Sequence, residues 1–467
     1  MKEKVGHLLS ESKTARWIAL ALISSTMFFA YFFVDVVAPL QTLLERDYKW
    51  TPEVFGMIGG SEFVLNVFAF FLILSGIILD KMGIRFTLIT AGLTMVIGAS
   101  LKYYALTEGF AQSGLAVSLN SFITYIPASA KLAMVGFSIF GIGVEMAGIT
   151  VSKTIVKWFK GKEMALAMGL EMAVARLGVF AVFRLTPIFA ENGGPSNSVF
   201  MGLAFLCIGF LTFFIYTFMD RKLDKQLGIQ NAGSEPEEEF KVSDLKKIFT
   251  NPGFLAIAGL CVLFYSAIFP FQKFATDMLA SKLNLDIKTA AAYFSYFPIG
   301  AMVLTPFIGY FLDVKGKGAS MMLYGAILLT VSHLIFALVP SEIFNVPIAI
   351  MTIVILGTAF SLVPASMWPS LPKIVEDRYL GSAYGSIFWI QNIGLLAVPV
   401  LIGWALSASN PGVSEQITAG VEGVKYNYTV PELIFASFGV LAFILSIILK
   451  RVDKKYGYGL EIPNKKK

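Results

Sequence analysis

The chain has 467 residues, 56% of them hydrophobic and 15% charged, with a formal net charge of +6. Soluble domains carry roughly 25% charged residues, so this composition excludes a water-soluble fold and predicts an all-α membrane protein, because lipid offers the backbone no partner but itself. The Lys and Arg residues gather in short clusters between apolar runs, which is a topology signal and no footprint for nucleic acid.

At about 20 apolar residues per crossing, the runs predict twelve spans. Six fall at 16–44, 52–79, 85–106, 130–156, 163–188 and 197–219, and six at 252–279, 289–312, 319–340, 346–370, 380–406 and 431–450. The expected organisation is an N-terminal half over 1–219, a linker over 220–250, and a C-terminal half with a basic tail over 251–467. The first run, Arg16 to Leu44, is too long for the h-region of a cleaved signal and has no small-residue cleavage pattern.

Span one carries Tyr31 and Asp35, and span two carries Glu62 before ending in Gly76-Ile-Ile-Leu-Asp80-Lys81-Met-Gly83-Ile-Arg85. The eighth span ends in Gly309-Tyr-Phe-Leu-Asp313-Val-Lys315-Gly316-Lys317, so a G-x-x-x-D core recurs at the equivalent loop of each half. The first copy resembles the G-x-x-x-D-[RK]-x-G-[RK] signature of the major facilitator superfamily, with its last basic position shifted by one residue. That resemblance implies a major facilitator fold of two six-helix halves. Gly76 would let helices approach, and Asp80 would hold basic groups as a latch on one access state; an ordinary positive-inside loop is the plainer reading. In span four, Gly141-Ile-Gly143 with Gly148 fails the G-x-G-x-x-G spacing and suits helix contact instead. No P-loop occurs, which removes an ATP-driven transporter.

Cys207 and Cys261 lie inside apolar runs as small buried thiols, without a disulfide framework. With only His7 and His333 in the chain, a His-rich metal site or a Ser-His-Asp triad has little to build on. No metal, cofactor or enzymatic chemistry is expected. The linker holds Gly233-Ser234-Glu235-Pro236, the acidic run Glu237 to Glu239, and Lys241 to Phe249, which suits an amphipathic surface helix. Basic residues fill alternate loops on one face, from Lys81 and Arg85 through Lys157, Lys160, Lys162, Arg221 and Lys315 to Lys373, and both termini share it. Both termini are therefore expected to be cytoplasmic.

An ionisable group inside a span is costly unless paired or hydrated, which singles out Asp35, Glu62, Glu145, Lys153, Arg176, Arg184, Lys273 and Asp277. Lys153 can snorkel to the inner surface, and Arg184, Lys273 and Asp277 fall toward outer helix ends, where a bland reading suffices. Asp35 and Glu62 fall at similar heights in the outer leaflet and form a proton or charge relay if they face one cavity. Glu145 and Arg176 lie about 18 Å and 21 Å from the inner ends of their spans, both near the midplane. Either they form an ion pair that ties two helices, or they receive the two ends of a zwitterion. A second repeat aligns Gly169 to Gly178 with Gly385 to Gly394, setting Asn392 opposite Arg176 beside Gln391. Most of the aromatic residues are packing, with Tyr31 and Tyr265 as candidates for a cavity wall.

Gly141-Ile-Gly143-Val-Glu145, Lys157-Trp158-Phe159-Lys160-Gly161-Lys162-Glu163 and Ala175-Arg176-Leu177-Gly178 together resemble the major facilitator branch of lysosomal dipeptide uniporters. Tyr31 to Gln41 and Gly381 to Gly394 add to the likeness. The resemblance implies that Glu145 holds a substrate amino group and Arg176 its carboxylate. Leu8-Leu9 lacks the acidic residue of a dileucine sorting signal, so a bacterial inner membrane is the expected home and a lysosomal membrane the alternative. The leading expectation is passage of dipeptides or similar zwitterions by alternating access. An organic-anion or drug transporter and a nutrient-sensing receptor that moves nothing remain open, as does an accessory subunit.

Overall fold

The computed structural model describes residues 8–160, 162–227 and 242–463. The basic ends at Lys2, Lys4 and Lys465 to Lys467, the linker stretch from Gly233 to Glu239, His7, Gly161 and Lys241 lie outside them. Among the described residues the chain is helical without strands. Its long helices are α1 (Lys13–Val34), α2 (Pro52–Ser61), α3 (Val64–Phe68), α4 (Phe71–Tyr104), α5 (Ala128–Phe159), α6 (Met164–Glu191) and α7 (Gly194–Leu227), with the short α2 and α3 included because they complete one crossing. The second half follows as α8 (Pro252–Leu283), α9 (Tyr296–Lys315), α10 (Gly318–Leu338), α11 (Val346–Ile374), α12 (Leu380–Ser409) and α13 (Thr429–Tyr456).

Eleven helical segments among the described residues are long and apolar enough to cross a membrane. The twelfth crossing is hidden by a join. At 34 residues, α4 would be about 51 Å long if straight, well beyond the roughly 30 Å hydrocarbon layer. Gly83 breaks it with φ 78° and ψ 171°, a backbone region open to glycine and strained for other residues. Residues 71–82 therefore finish span two and residues 84–104 form span three. Span two itself is in pieces: α2 stops at Ser61, and Phe70 adopts a left-handed φ of 50° before α4 begins. Its expected continuous helix over 52–79 is corrected accordingly, because a run of apolar residues records burial in lipid and not the breaks within it.

Caps set the other ends. Thr51 accepts from the Val54 N–H with Pro52 in the first turn, and Asn251 accepts from Gly253 and Phe254 at the start of α8. A short helix, Val242–Phe249, precedes α8, and Lys247 there donates to the Tyr379 hydroxyl at 2.9 Å.

The two halves meet along α2 and α12, toward the face opposite the termini. A Cβ at Gly56 would stand 2.2 Å from the Pro399 carbonyl oxygen, and one at Gly403 2.1 Å from that of Pro52. Only glycine permits this approach. On the same face Arg184 Nε donates to Ser295 Oγ at 2.9 Å, Tyr426 donates to Glu45 at 2.7 Å, and Lys288 pairs with Glu191 at 3.1 Å, each across the halves. On the face of the termini each half is tied to itself. Arg16 pairs with Glu163 at 2.9 Å in the first half, while the tail lies on the second, with Gly318 N–H donating to Leu460 at 2.9 Å and Ser320 to Glu461 at 2.8 Å.

Candidate substrate site

Midway through the bundle, Arg176 of α6 reaches from the first half to the second. Its guanidinium carbon lies 4.8 Å from the centre of the Phe360 ring and 5.8 Å from that of Phe269. A guanidinium over aromatic faces can still turn its N–H groups toward an anion. Tyr265 stacks on Phe269 at 5.4 Å, and its hydroxyl accepts from Trp368 Nε1 at 3.1 Å. One turn earlier on α8, Cys261 Sγ donates to Gln391 Oε1 at 3.4 Å. The second half thus presents a wall of Phe269, Tyr265, Trp368, Phe360 and Gln391.

The first half supplies charge. Tyr31 of α1 stands within electrostatic range of Arg176, Glu171, Glu145 and Glu62. Glu145 is half-buried on α5, and among the described residues it shares no ion pair with Arg176. Both groups therefore act on Tyr31 without pairing with each other. Of the paired residues in α12, Gln391 is half-buried beside Cys261, whereas Asn392 is 2% exposed.

Asp35 and Glu62 also come together, through a residue expected to be bland. Lys273 of α8 crosses from the second half and places its ammonium 3.3 Å from Asp35 Oδ1, 3.3 Å from the Val34 carbonyl and 3.8 Å from Glu62 Oε2. Gln272 donates to the other Asp35 oxygen. Asp277, a turn further along, accepts from the Tyr428 hydroxyl at 2.7 Å and from Thr42 of the first half.

At the signature loop Asp80 pairs with Lys153 at 2.5 Å, so Lys153 is engaged at the membrane surface. Lys81 is exposed beside it, and nothing lies within 4 Å of a Cβ placed on Gly76, so the expected close helix approach at Gly76 is absent from this structure. Arg85 bonds Asp224 and reaches Asp220 at 3.4 Å, and Lys157 reaches both carboxylates at 2.6 Å. Tyr216 donates to Asp220 at 2.9 Å and accepts from Trp158 at 2.8 Å. In the second half Asp313 occupies the last turn of α9, ahead of Gly316 with its φ of 73°.

The sequence reading passed over Glu171, Lys102 and Trp368. Glu171 carried a usable signal, a carboxylate five residues before Arg176 in an otherwise apolar run. Trp368 carried none, since its role rests on a hydrogen bond between helices.

A family model described as Major Facilitator Superfamily matches residues 23–399 and again 274–460. Lysosomal dipeptide transporter MFSD1 of Mus musculus is 28% identical over 405 residues, covering 84% of this chain and 80% of that protein. Probable anion transporter 2, chloroplastic, of Oryza sativa subsp. japonica is 25% identical over 334 residues, 67% of this chain and 60% of that one. Among solved structures, a mutant of the nucleoside transporter NupG superposes with a TM-score of 0.70 at 13% identity, covering 93% of this chain and 99% of its own. Signature, twelve-span architecture and family model agree, and the chain belongs to the major facilitator superfamily.

Proposed function

We propose that this transporter carries dipeptides or similar small zwitterions by alternating access, as a uniporter, with residues 1–219 and 251–467 as the moving halves. The observation that carries the reading is the unpaired arrangement of Glu145 and Arg176 around Tyr31, with the Arg176 guanidinium resting on aromatic rings of the opposite half. An ammonium and a carboxylate held a few ångströms apart on one solute match those two charges. The guanidinium can donate two parallel hydrogen bonds to the carboxylate. A solute that fills the space would touch both halves at once, which links binding to their rocking. The dipeptide transporter among the relatives supports the same class of solute.

The clustered positive charge supports cytoplasmic termini, which would make the closed face the outer one and the state inward-facing. We keep a bacterial inner membrane as the proposed home, with an organelle membrane as the alternative. An organic-anion transporter is the second reading, favoured by Arg176 as an anion receptor and by the anion transporter among the relatives. Uptake of labelled dipeptide into liposomes separates the two. Competition by free dipeptide, and its loss on N-acetylation or C-amidation, supports the clamp. Equal competition by both blocked peptides would overturn it, and anion flux indifferent to peptides would establish the second reading.

A further inference from the structure

Above the substrate site, on the side of the closed face, lies a second charged cluster. It contains Asp35 at the end of α1, Glu62 between α2 and α3, Lys102 in α4 and Lys273 in α8, with exposures of 3%, 3%, 0% and 7%. Three of these belong to the first half and Lys273 to the second. The Lys102 ammonium lies 3.6 Å from the centre of the Phe137 ring and has no hydrogen-bond partner, and Glu62 Oε2 has none either. Gln272 and Tyr31 border the cluster, and Glu145 of α5 is the next carboxylate toward the substrate site.

The formal charges balance only while the halves are together. Two carboxylates face two ammonium groups in the closed arrangement. Opening this face withdraws Lys273 with its own half and leaves Asp35, Glu62 and Lys102 with one net negative charge in a place lined by Phe33 and Phe137. An uncompensated charge in such surroundings is costly. The stem of Lys273 passes over Gly59, where a Cβ would stand 3.0 Å from its Cδ, so a larger residue there would crowd the stem.

We propose that Asp35, Glu62 and Lys102 form a monovalent-cation site on the first half, filled by the Lys273 ammonium when the face opposite the termini is closed and by a solvent cation when it opens. The solvent cation is a proton or an alkali ion. It enters and leaves from that one face, so it sets how readily the gate opens without travelling with the solute, in keeping with uniport.

The test needs no peptide, so its failure is separate from failure of the substrate assignment. Spin labels at Gln112→Cys and Glu422→Cys, exposed positions on the loops of the two halves, report the opening by double electron–electron resonance in a Cys207→Ser background, because Cys207, expected to be buried, is exposed. Wild-type protein in nanodiscs is titrated with acid in sodium-free buffer, and separately with sodium chloride against choline chloride at alkaline pH. The expected result is a longer distance growing with one of the two cations, the open-to-closed ratio rising by up to about tenfold per tenfold rise in cation activity, the limit for one ion. Response to acid alone identifies the proton, and response to sodium identifies the alkali ion. The dependence should vanish in Lys273→Gln and in Asp35→Asn with Glu62→Gln, and persist in Lys273→Arg. Distances indifferent to both cations in the wild-type protein, or a dependence that survives loss of both carboxylates, would overturn the proposal.

Discussion

The two faces of this bundle are built on opposite plans. Opposite the termini, backbone meets backbone at Gly56 and Gly403, and ion pairs and hydroxyl bonds reach from one half to the other. At the termini, the ionic contacts of Asp80, Arg85 and Lys157 stay within the first half, and those of Glu461 stay within the second. Close helix contact needs small residues in step along both partners, so it shuts a face tightly but tolerates no added atom. Charge pairs within one half instead make that half rigid and leave it free to move as a body. The difference shows which face is sealed in this structure and which groups hold each half together.

The largest expected effect falls between the faces. Glu145→Gln and Arg176→Lys should each abolish dipeptide uptake without loss of expression. Arg176→Lys should weaken peptide binding more than tenfold, or about 1.4 kcal/mol, because Lys cannot reproduce the bidentate fork. Isothermal titration with free and blocked dipeptides measures this, and binding by either variant equal to wild type would break the clamp.

Next comes the seal. Gly403→Val sets a side chain against the Pro52 carbonyl, and overpacking of this kind costs about 1–3 kcal/mol. Exchange across liposomes should fall about tenfold or more as the closed face becomes rare, a magnitude that follows from the same range. Gly385→Val, on a helix surface where a Cβ meets nothing within 4 Å, should be far milder. Equal losses from the two would erase the distinction between sealed and open surfaces.

Asp80→Asn removes the pair with Lys153, in which the Asp80 side chain is 53% exposed. Exposed pairs contribute roughly 0–1 kcal/mol, which limits the slowing of transport to about fivefold, while peptide binding, made away from this pair, should change less. Parallel loss of binding and flux would show that Asp80 supports the site itself and not the movement.

The smallest effect concerns Asp286, which caps the helix Ile287–Phe294 beside the seal by accepting from Thr289 N–H at 2.9 Å. Hydrogen bonds from the Thr289 side chain and backbone hold its carboxyl below the usual range. A carboxyl depressed on folding stabilises above its unfolded pKa, near 3.9, and that contribution is lost as pH falls through the folded value. Asp286→Ala should cost about 1 kcal/mol at neutral pH and less under acid, read as a melting shift that shrinks below about pH 4.

Much of this was legible because lipid enforces it. Apolar runs gave the spans, and the glycine–aspartate loops gave the repeat, since both follow from constraints local to the chain. Lys273 was not legible in the same way. Its depth along α8 was readable and suggested an outer position, but its partners Asp35 and Glu62 come from helices whose rotation the sequence does not state. Lys102 sits near the end of an apolar run, where its sequence position does not show that it is fully buried against Phe137. The break of span two left a trace in Gly59 and Gly60, yet the reversed φ of Phe70 left none.

Helix α8 places Cys261 and Tyr265 beside Gln391 and Trp368 of the candidate site, and Gln272, Lys273 and Asp277 at the seal. Between the two groups stands Pro270, which has no N–H to give to the Ser266 carbonyl and so weakens the rod at that turn. Pro270 is thus a soft joint between the two ends of the helix, and under the proposed function the stiffness of that joint sets how faithfully contact with a solute at Tyr265 is passed to Lys273. Paired spin labels on either side of Pro270 would show the joint bending when the outer seal parts; a fixed angle through the whole cycle would mean that α8 turns as a single straight shaft.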